Sequence, residues 1–85
     1  MSWNHRVLVT DCGDGELWFL IHEVYYDDNN IPNGYTASGA VVGGYDLVDI
    51  QWDLDRFQEC LNKPFLWSGD RFPEEFKGEL KTNGS

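Results

Sequence analysis

The sequence predicts an α+β domain, in which a three-stranded antiparallel sheet is followed by one packed α-helix and a candidate short fourth strand. Two segments rich in β-branched and aromatic residues flank a tight-turn signal, and a later segment repeats its apolar residues at helical spacing. A chain of 85 residues has room for a single core. We therefore expect one domain over residues 1–77 and a flexible C-terminal tail over residues 78–85.

The first two strands are expected at Trp3–Thr10 and Leu17–Tyr26, joined as a hairpin. Asp14-Gly15 is the predicted turn, because Asp and Gly both tolerate the positive φ that a two-residue hairpin turn requires. Regular pairing around this turn places Arg6 directly across from Glu23, as an ion pair between the two strands.

Regular pairing also divides the hairpin side chains between two faces, and neither face is cleanly polar. The first face brings together two tryptophans, both histidines and a tyrosine: Trp3, His5, Trp18, His22 and Tyr26. We expect the helix to cover one face, and a partner subunit or the C-terminal segment to cover the other. A homodimer through a sheet face or an open strand edge is therefore a further expectation.

The remaining elements are expected in chain order. The Asx-rich turn Asp27–Gly34 precedes a third strand at Tyr35–Val42, whose Ala, Ser and Gly residues are weak strand formers. The helix begins after an N-cap at Asp46 and ends before Pro64, which cannot continue its backbone ladder. Its apolar stripe repeats at spacings of three and four residues: Leu47, Ile50, Leu54, Phe57 and Leu61. Pro64–Trp67 is the candidate fourth strand.

Trp52 does not belong to the apolar stripe, because at about 100° per residue it lies roughly opposite the centre of the stripe. The solvent side of the helix is therefore expected to carry five residues: Val48, Trp52, Asp55, Arg56 and Glu59. An exposed Trp beside an Arg has the composition of an interface hot spot. The alternative is that Phe72 or Phe76 folds back onto Trp52 and makes it part of a second small cluster.

The charge balance narrows the classes of partner. Fifteen acidic and six basic residues give a net charge of −9, which opposes direct binding to nucleic acid or to an anionic membrane. Basic proteins, small ligands and cations remain, and the charge also suits a purely solubilising role. The start of the chain does not resemble a secretion signal, and no apolar run has the length of a membrane span. Cys12 and Cys60 are expected as reduced thiols in a cytoplasmic protein.

No catalytic residue, metal or cofactor is predicted. His5 and His22 are too few for a closed zinc site, and the oxygen-rich loop Asp27–Asn33 lacks the ligand spacing of a calcium-binding EF-hand. The glycines before the helix are not followed by the Lys and Ser or Thr of a phosphate-binding loop. An enzyme that uses His5, His22 and Glu23 is disfavoured, because regular pairing points Glu23 away from His22.

Two resemblances accompany these predictions. The segments Met1–Val7 (MSWNHRV) and Ile21–Asp27 (IHEVYYD) resemble a group of short uncharacterised bacterial and mobile-element proteins, over most of the chain. The resemblance implies no activity. The predicted order of three strands and a helix, with Gly44–Leu47 at the helix start, is similar to HicB-type antitoxins, although no separate DNA-binding segment follows the helix.

Two functional hypotheses follow. The first is a non-enzymatic binding protein that docks a basic protein partner through the Trp52 side of the helix, as an inhibitor of a nucleic-acid-handling enzyme. Antitoxins and phage counter-defence proteins act in this manner. The alternative is an oligomer that binds or sequesters a small ligand, with the aromatic rings of the first sheet face stacking on a base or similar group.

Overall fold

The computed structural model describes residues 2–78 and confirms the predicted α+β class. Its elements in chain order are β1 (Ser2–Gly13), β2 (Glu16–Tyr26), β3 (Pro32–Tyr35), α1 (Leu47–Cys60) and β4 (Leu66–Trp67), followed by a short 3₁₀ turn at Gly69–Arg71. The strands form one sheet in the order β3-β2-β1-β4. The candidate fourth strand is present and runs parallel to β1. The predicted tail, apart from Gly78, lies outside the described residues.

The hairpin turn lies where the sequence predicts it. Asp14 and Gly15 have φ angles of 54° and 80°, as a two-residue hairpin turn requires, and Gly13 pairs with Glu16. Immediately before the turn, Gly13 adopts a φ of 87° and Cys12 has no partner in the ladder. This extra residue is a β-bulge.

The bulge overturns the predicted pairing of the two long strands. Arg6 lies opposite His22 and His5 lies opposite Glu23, so the predicted pair between Arg6 and Glu23 is wrong. Opposite residues share a face and successive residues alternate, so a shift of one position moves every β2 side chain to the other face relative to β1. Regular pairing was the wrong assumption, because the bulge inserts one residue into β1 alone.

The main core lies on the sheet face that carries Leu8 and Val24, which we call the core face. Both side chains are fully buried, and Leu66 of β4 is 5% exposed beside them. Three aromatic residues surround this cluster: Tyr26, Tyr35 and Phe72. The segment after β4 therefore covers the core face, in agreement with the expectation that the C-terminal segment or a partner covers one of the faces.

The third strand is shorter and earlier than predicted, spanning Pro32–Tyr35 in place of Tyr35–Val42. Beyond it, the backbone N–H groups of Thr36 and Ala40 still donate to carbonyls of β2, at 3.1 and 2.8 Å. Between them the Thr36 hydroxyl donates to the Ser38 carbonyl at 2.8 Å. Such local side-chain bonds compete with a regular ladder, and the segment runs along β2 without forming a strand.

The helix begins as predicted but is rotated about its axis. The Asp46 carboxylate accepts a hydrogen bond from the backbone N–H of Asp49 at 3.0 Å, as an N-cap does. The predicted stripe is only partly buried: Leu47 is 80% exposed, Leu54 47% and Leu61 52%. The fully buried helix residue is Cys60, and Ile50, Asp53, Arg56 and Phe57 are half-buried.

This rotation follows from where the helix lies. It packs mainly on β1, on the face opposite the core face, which we call the helix face. A helix that covers only part of a sheet buries one narrow side and leaves its flanks beside open sheet surface. Leu61 accordingly borders an apolar groove of about 350 Å³ with Val7, Phe19, Leu20, Ile21 and Phe65.

Within residues 2–78, no helix combines the length and the apolarity needed to cross a bilayer. The outer side of β2 is paired with strand or loop backbone only from Ile21 to Tyr26 in this part of the chain. Glu16–Leu20 is thus an open edge, and self-association through a strand edge stays a prediction.

Candidate functional site

Trp52 lies on the flank of α1 that borders the sheet, and half of its surface is exposed. The guanidinium carbon of Arg56 sits 5.0 Å from the centre of the Trp52 ring, within cation–π range. The alternative in which Phe72 or Phe76 covers Trp52 is wrong. Phe72 packs on Tyr35 at 4.7 Å, and Phe76 packs on aromatic rings of β2 and β4.

The other predicted docking residues are spread around the exposed side of the helix. Val48 is 75% exposed, and the Asp55 carboxylate accepts a hydrogen bond from the Gln51 amide at 3.0 Å. Arg56 forms an ion pair with Glu59 at 3.0 Å. The helix therefore presents one large ring and several carboxylates, while its single cation already has an acidic partner.

Two residues of β1, Trp3 and His5, lie beside the helix near Trp52 and Phe57. The Trp3 ring contacts the His5 ring edge-on, with centroids 5.4 Å apart, and His5 contacts Phe57 of the helix at 4.8 Å. His5 is only 9% exposed, whereas Trp3 is 50% exposed. Packing of Phe57 on His5 anchors α1 to β1 and places the exposed parts of Trp3 and Trp52 on the rim of one cleft.

This Trp3–Trp52 cleft consists of two adjoining hollows that share Trp3, His5 and Trp52. The larger hollow, of about 370 Å³, is also lined by two carboxylate residues and the loop after β3: Glu23, Asp53, Thr36, Ser38, Gly39, Ala40 and Val41. The smaller hollow, of about 220 Å³, is also lined by Asn4, Arg56, Glu59 and Lys63. Acidic side chains thus lie at one end of the cleft, and mixed charges lie at the other.

The carboxylates of the larger hollow have no ion-pair partner among the described residues. Glu23 lies directly across the ladder from His5, and its Oε1 accepts a hydrogen bond from the Tyr25 hydroxyl at 3.3 Å. Desolvation, followed by the charge of Glu23, raises the pKa of Tyr25. The Asp53 carboxylate accepts from the backbone N–H of Gly43 at 3.2 Å. The acids that form ion pairs within residues 2–78 are Glu59, Glu74 and Glu75. The charges of Glu23 and Asp53 are therefore not neutralised, and this end of the cleft is negative.

The alternative ligand site does not form one surface. The bulge leaves Trp3 and His5 on the helix face, and it moves Trp18, His22 and Tyr26 to the core face. Trp18 is 60% exposed and is not covered by the helix, but it stands apart from both histidines, which are buried.

His22 and Tyr26, which the bulge places on the core face, form hydrogen bonds with neighbouring parts of the fold. His22 Nδ1 lies 2.9 Å from the carbonyl oxygen of Thr36, which ties β2 to the loop after β3. The Tyr26 hydroxyl donates to Asn4 Oδ1 and accepts from Arg6 Nη1, both at 2.7 Å. His22 and Tyr26 therefore hold the sheet together. Tyr26 shares a hollow of about 410 Å³ with Trp3, but His5, Trp18 and His22 do not line it.

The cysteines are both free thiols, Cys12 exposed near the turn and Cys60 buried on the helix. Cys60 donates to the Phe57 carbonyl at 2.9 Å. Burial raises the pKa of the Cys60 thiol, against the opposing charges of Lys63 and Arg6. Among the described residues, no three His, Cys, Asp or Glu side chains are grouped as a metal site needs.

The cleft brings together residues that sequence reasoning did not associate. The sequence predicts Trp3 in a ligand face and Trp52 in a docking face. It brings Glu23 only into the disfavoured enzyme hypothesis and gives Asp53 no role. No local signal links positions so far apart in the chain. The one usable clue was Gly13 directly before the turn, because a Gly at that position favours a bulge and hence a shifted register.

Comparison of the chain with protein-family models, with curated proteins and with solved structures finds no match in any of the three. The two resemblances stated from the sequence consequently stay predictions. The functional argument depends on the geometry and charge of the site alone.

Proposed function

We propose that this protein is a non-enzymatic binding protein that docks a basic protein partner through the Trp52 side of α1. The observation that carries the proposal is the half-exposed Trp52 ring, which stands on an acidic helix and is covered by neither Phe72 nor Phe76 of the described C-terminal segment. Large aromatic side chains at the centre of an interface contribute most of its binding energy, and surrounding charges steer the encounter.

The charge of the helix supports a basic partner. With its N-cap, α1 carries five carboxylates and one guanidinium: Asp46, Asp49, Asp53, Asp55, Glu59 and Arg56. Glu59 already pairs with Arg56, whereas the four aspartates form no ion pair among the described residues. The whole chain has a net charge of −9, which accelerates association with a positively charged surface and discourages acidic competitors.

An inhibitor of a nucleic-acid-handling protein is the role that this chemistry suits best. Such proteins expose basic surfaces for phosphates, and an acidic protein with an aromatic anchor competes for the same surface. The predicted similarity to HicB-type antitoxins points to the same class of role. Two free thiols suit a cytoplasmic setting.

Affinity capture from the native host tests the proposal. The bait is the full chain, compared with a Trp52→Ala, Asp55→Asn, Glu59→Gln variant. We expect the wild type to retain a basic protein that the variant loses, with at least tenfold weaker binding of the purified partner to the variant, the order of effect that removal of a hot spot has. Raising the salt concentration should weaken the wild-type complex steadily, because the charges involved are exposed.

A matched control alters the same residue types at the far end of the molecule: Trp18→Ala, Asp14→Asn, Glu16→Gln. This control should bind like the wild type, since all three side chains lie on the exposed hairpin end. Equal loss by both variants, or an affinity indifferent to salt, would contradict docking through the Trp52 side.

A further inference from the structure

We infer that the larger hollow of the Trp3–Trp52 cleft receives one arginine side chain of the partner. The inference depends on the proposed function for its biological setting, but it concerns a site that can be tested by itself. It names the chemical group that the cleft recognises, a guanidinium, and the residues that hold it.

The first argument is the pairing of aromatic faces with unpaired carboxylates. Trp3 and Trp52 are each 50% exposed, and both line the hollow with Glu23 and Asp53. A cation over an indole face is attracted by the ring quadrupole. A guanidinium also presents a planar fork of donors to a carboxylate, which an ammonium does not.

The second argument is His5, which is independent of the acidic residues. Its side chain is more than nine-tenths buried and lines the hollow. Its ring nitrogens form no hydrogen bond with any of the described residues. An imidazole nitrogen that carries no proton accepts a hydrogen bond, so the His5 ring adds a third side chain that can accept from a guanidinium in the hollow.

Charge decides which hollow the guanidinium enters. The smaller hollow is lined by Arg56 and Lys63 as well as by Glu59, and its cations repel a positive group. The larger hollow is lined by Glu23 and Asp53 with no cationic side chain. The Arg56 guanidinium lies over Trp52, but it lines only the smaller hollow.

Titration with N-acetyl-L-arginine amide, followed by ¹H–¹⁵N NMR of the full chain, tests the inference. The indole N–H signals of Trp3 and Trp52 should shift along saturating curves, whereas that of Trp18 should stay in place. N-acetyl-L-citrulline amide has nearly the same shape without the charge, and it should bind at least fivefold more weakly.

The decisive variant is Glu23→Gln with Asp53→Asn. Its matched control is Glu16→Gln with Asp28→Asn, which removes the same charge from two exposed positions outside the cleft. The cleft variant should lose at least fivefold in arginine affinity, and the control should keep it within twofold. Equal affinity for arginine and citrulline, or equal loss in both variants, would overturn the inference.

The two proposals fail in different ways. Loss of a captured partner by the Trp52, Asp55 and Glu59 variant, without any arginine-specific shift at Trp3, leaves docking intact and removes the guanidinium site. Saturable arginine binding at Trp3 and Trp52, with a partner that binds the helix variant and the hairpin control equally, supports the guanidinium site and removes the docking proposal.

Discussion

Single residues near the turn decide which side chains share a surface. Gly13 adopts a φ of 87°, and the unpaired Cys12 beside it shifts the ladder by one position. That residue separates Trp3 and His5 from Trp18, His22 and Tyr26. The predicted small-ligand face does not form, because the numbering rule that assigned its residues to one face holds only while the two strands pair without a bulge.

The burial of Cys60 is expected to make the fold less stable at alkaline pH. Burial raises the pKa of its thiol in the folded protein, so the unfolded chain loses this proton at a lower pH than the folded one. Its contribution to the free energy of unfolding is therefore complete below the ordinary thiol pKa, about 8.5, and is lost as the pH rises through the raised value.

Cys60→Ser tests this prediction, because the hydroxyl still donates to the Phe57 carbonyl but does not titrate in this range. Urea unfolding between about pH 7.5 and 9.5 should show a steeper decline in the wild type than in the variant. Cys12→Ser, which changes an exposed thiol, should decline like the wild type. Parallel curves for all three proteins would contradict the prediction.

At the scale of elements, the helix shows how far an apolar stripe predicts packing. Its span and N-cap were predicted, because both depend on neighbours within one turn. Its rotation was not, since the prediction assumed that the five residues of the stripe all face the sheet. Phe57 packs on His5 at 4.8 Å, whereas Leu47 is 80% exposed.

Two truncations in the same helix measure this rotation. Phe57→Ala should lower the free energy of unfolding by about 2–3 kcal/mol, because it removes a half-buried ring and its edge contact with His5. Leu47→Ala should change it by less than about 0.5 kcal/mol. Urea denaturation of both variants is the measurement, and similar losses for the two would show that the predicted stripe is the packed side after all.

At the scale of the whole molecule, β4 joins the two ends of the described chain. It pairs in parallel with β1, at Leu8 opposite Leu66, and the residues after it cover the core face through Phe72. A two-residue strand and a short turn thus complete the cover of the core face. The helix covers only part of the helix face.

Leu66→Ala should therefore destabilise the fold strongly. Leu66 is 5% exposed within the core cluster, and a cavity there should cost about 2–4 kcal/mol in the free energy of unfolding. Leu61→Ala removes the same atoms from a side chain that is 52% exposed and should cost less than about 1 kcal/mol. Thermal unfolding followed by circular dichroism distinguishes them, and comparable melting temperatures for the two variants would refute this account of the core.

The sequence by itself determined the fold class, the turn at Asp14-Gly15, the helix from its cap at Asp46, and the acidic character of the surface. Each of these depends on composition or on residues close together in the chain. Only the tertiary structure decided the strand register, the rotation of the helix, and the meeting of Trp3 with Trp52. Those depend on contacts through space, and one bulged residue is enough to change which side chains can meet.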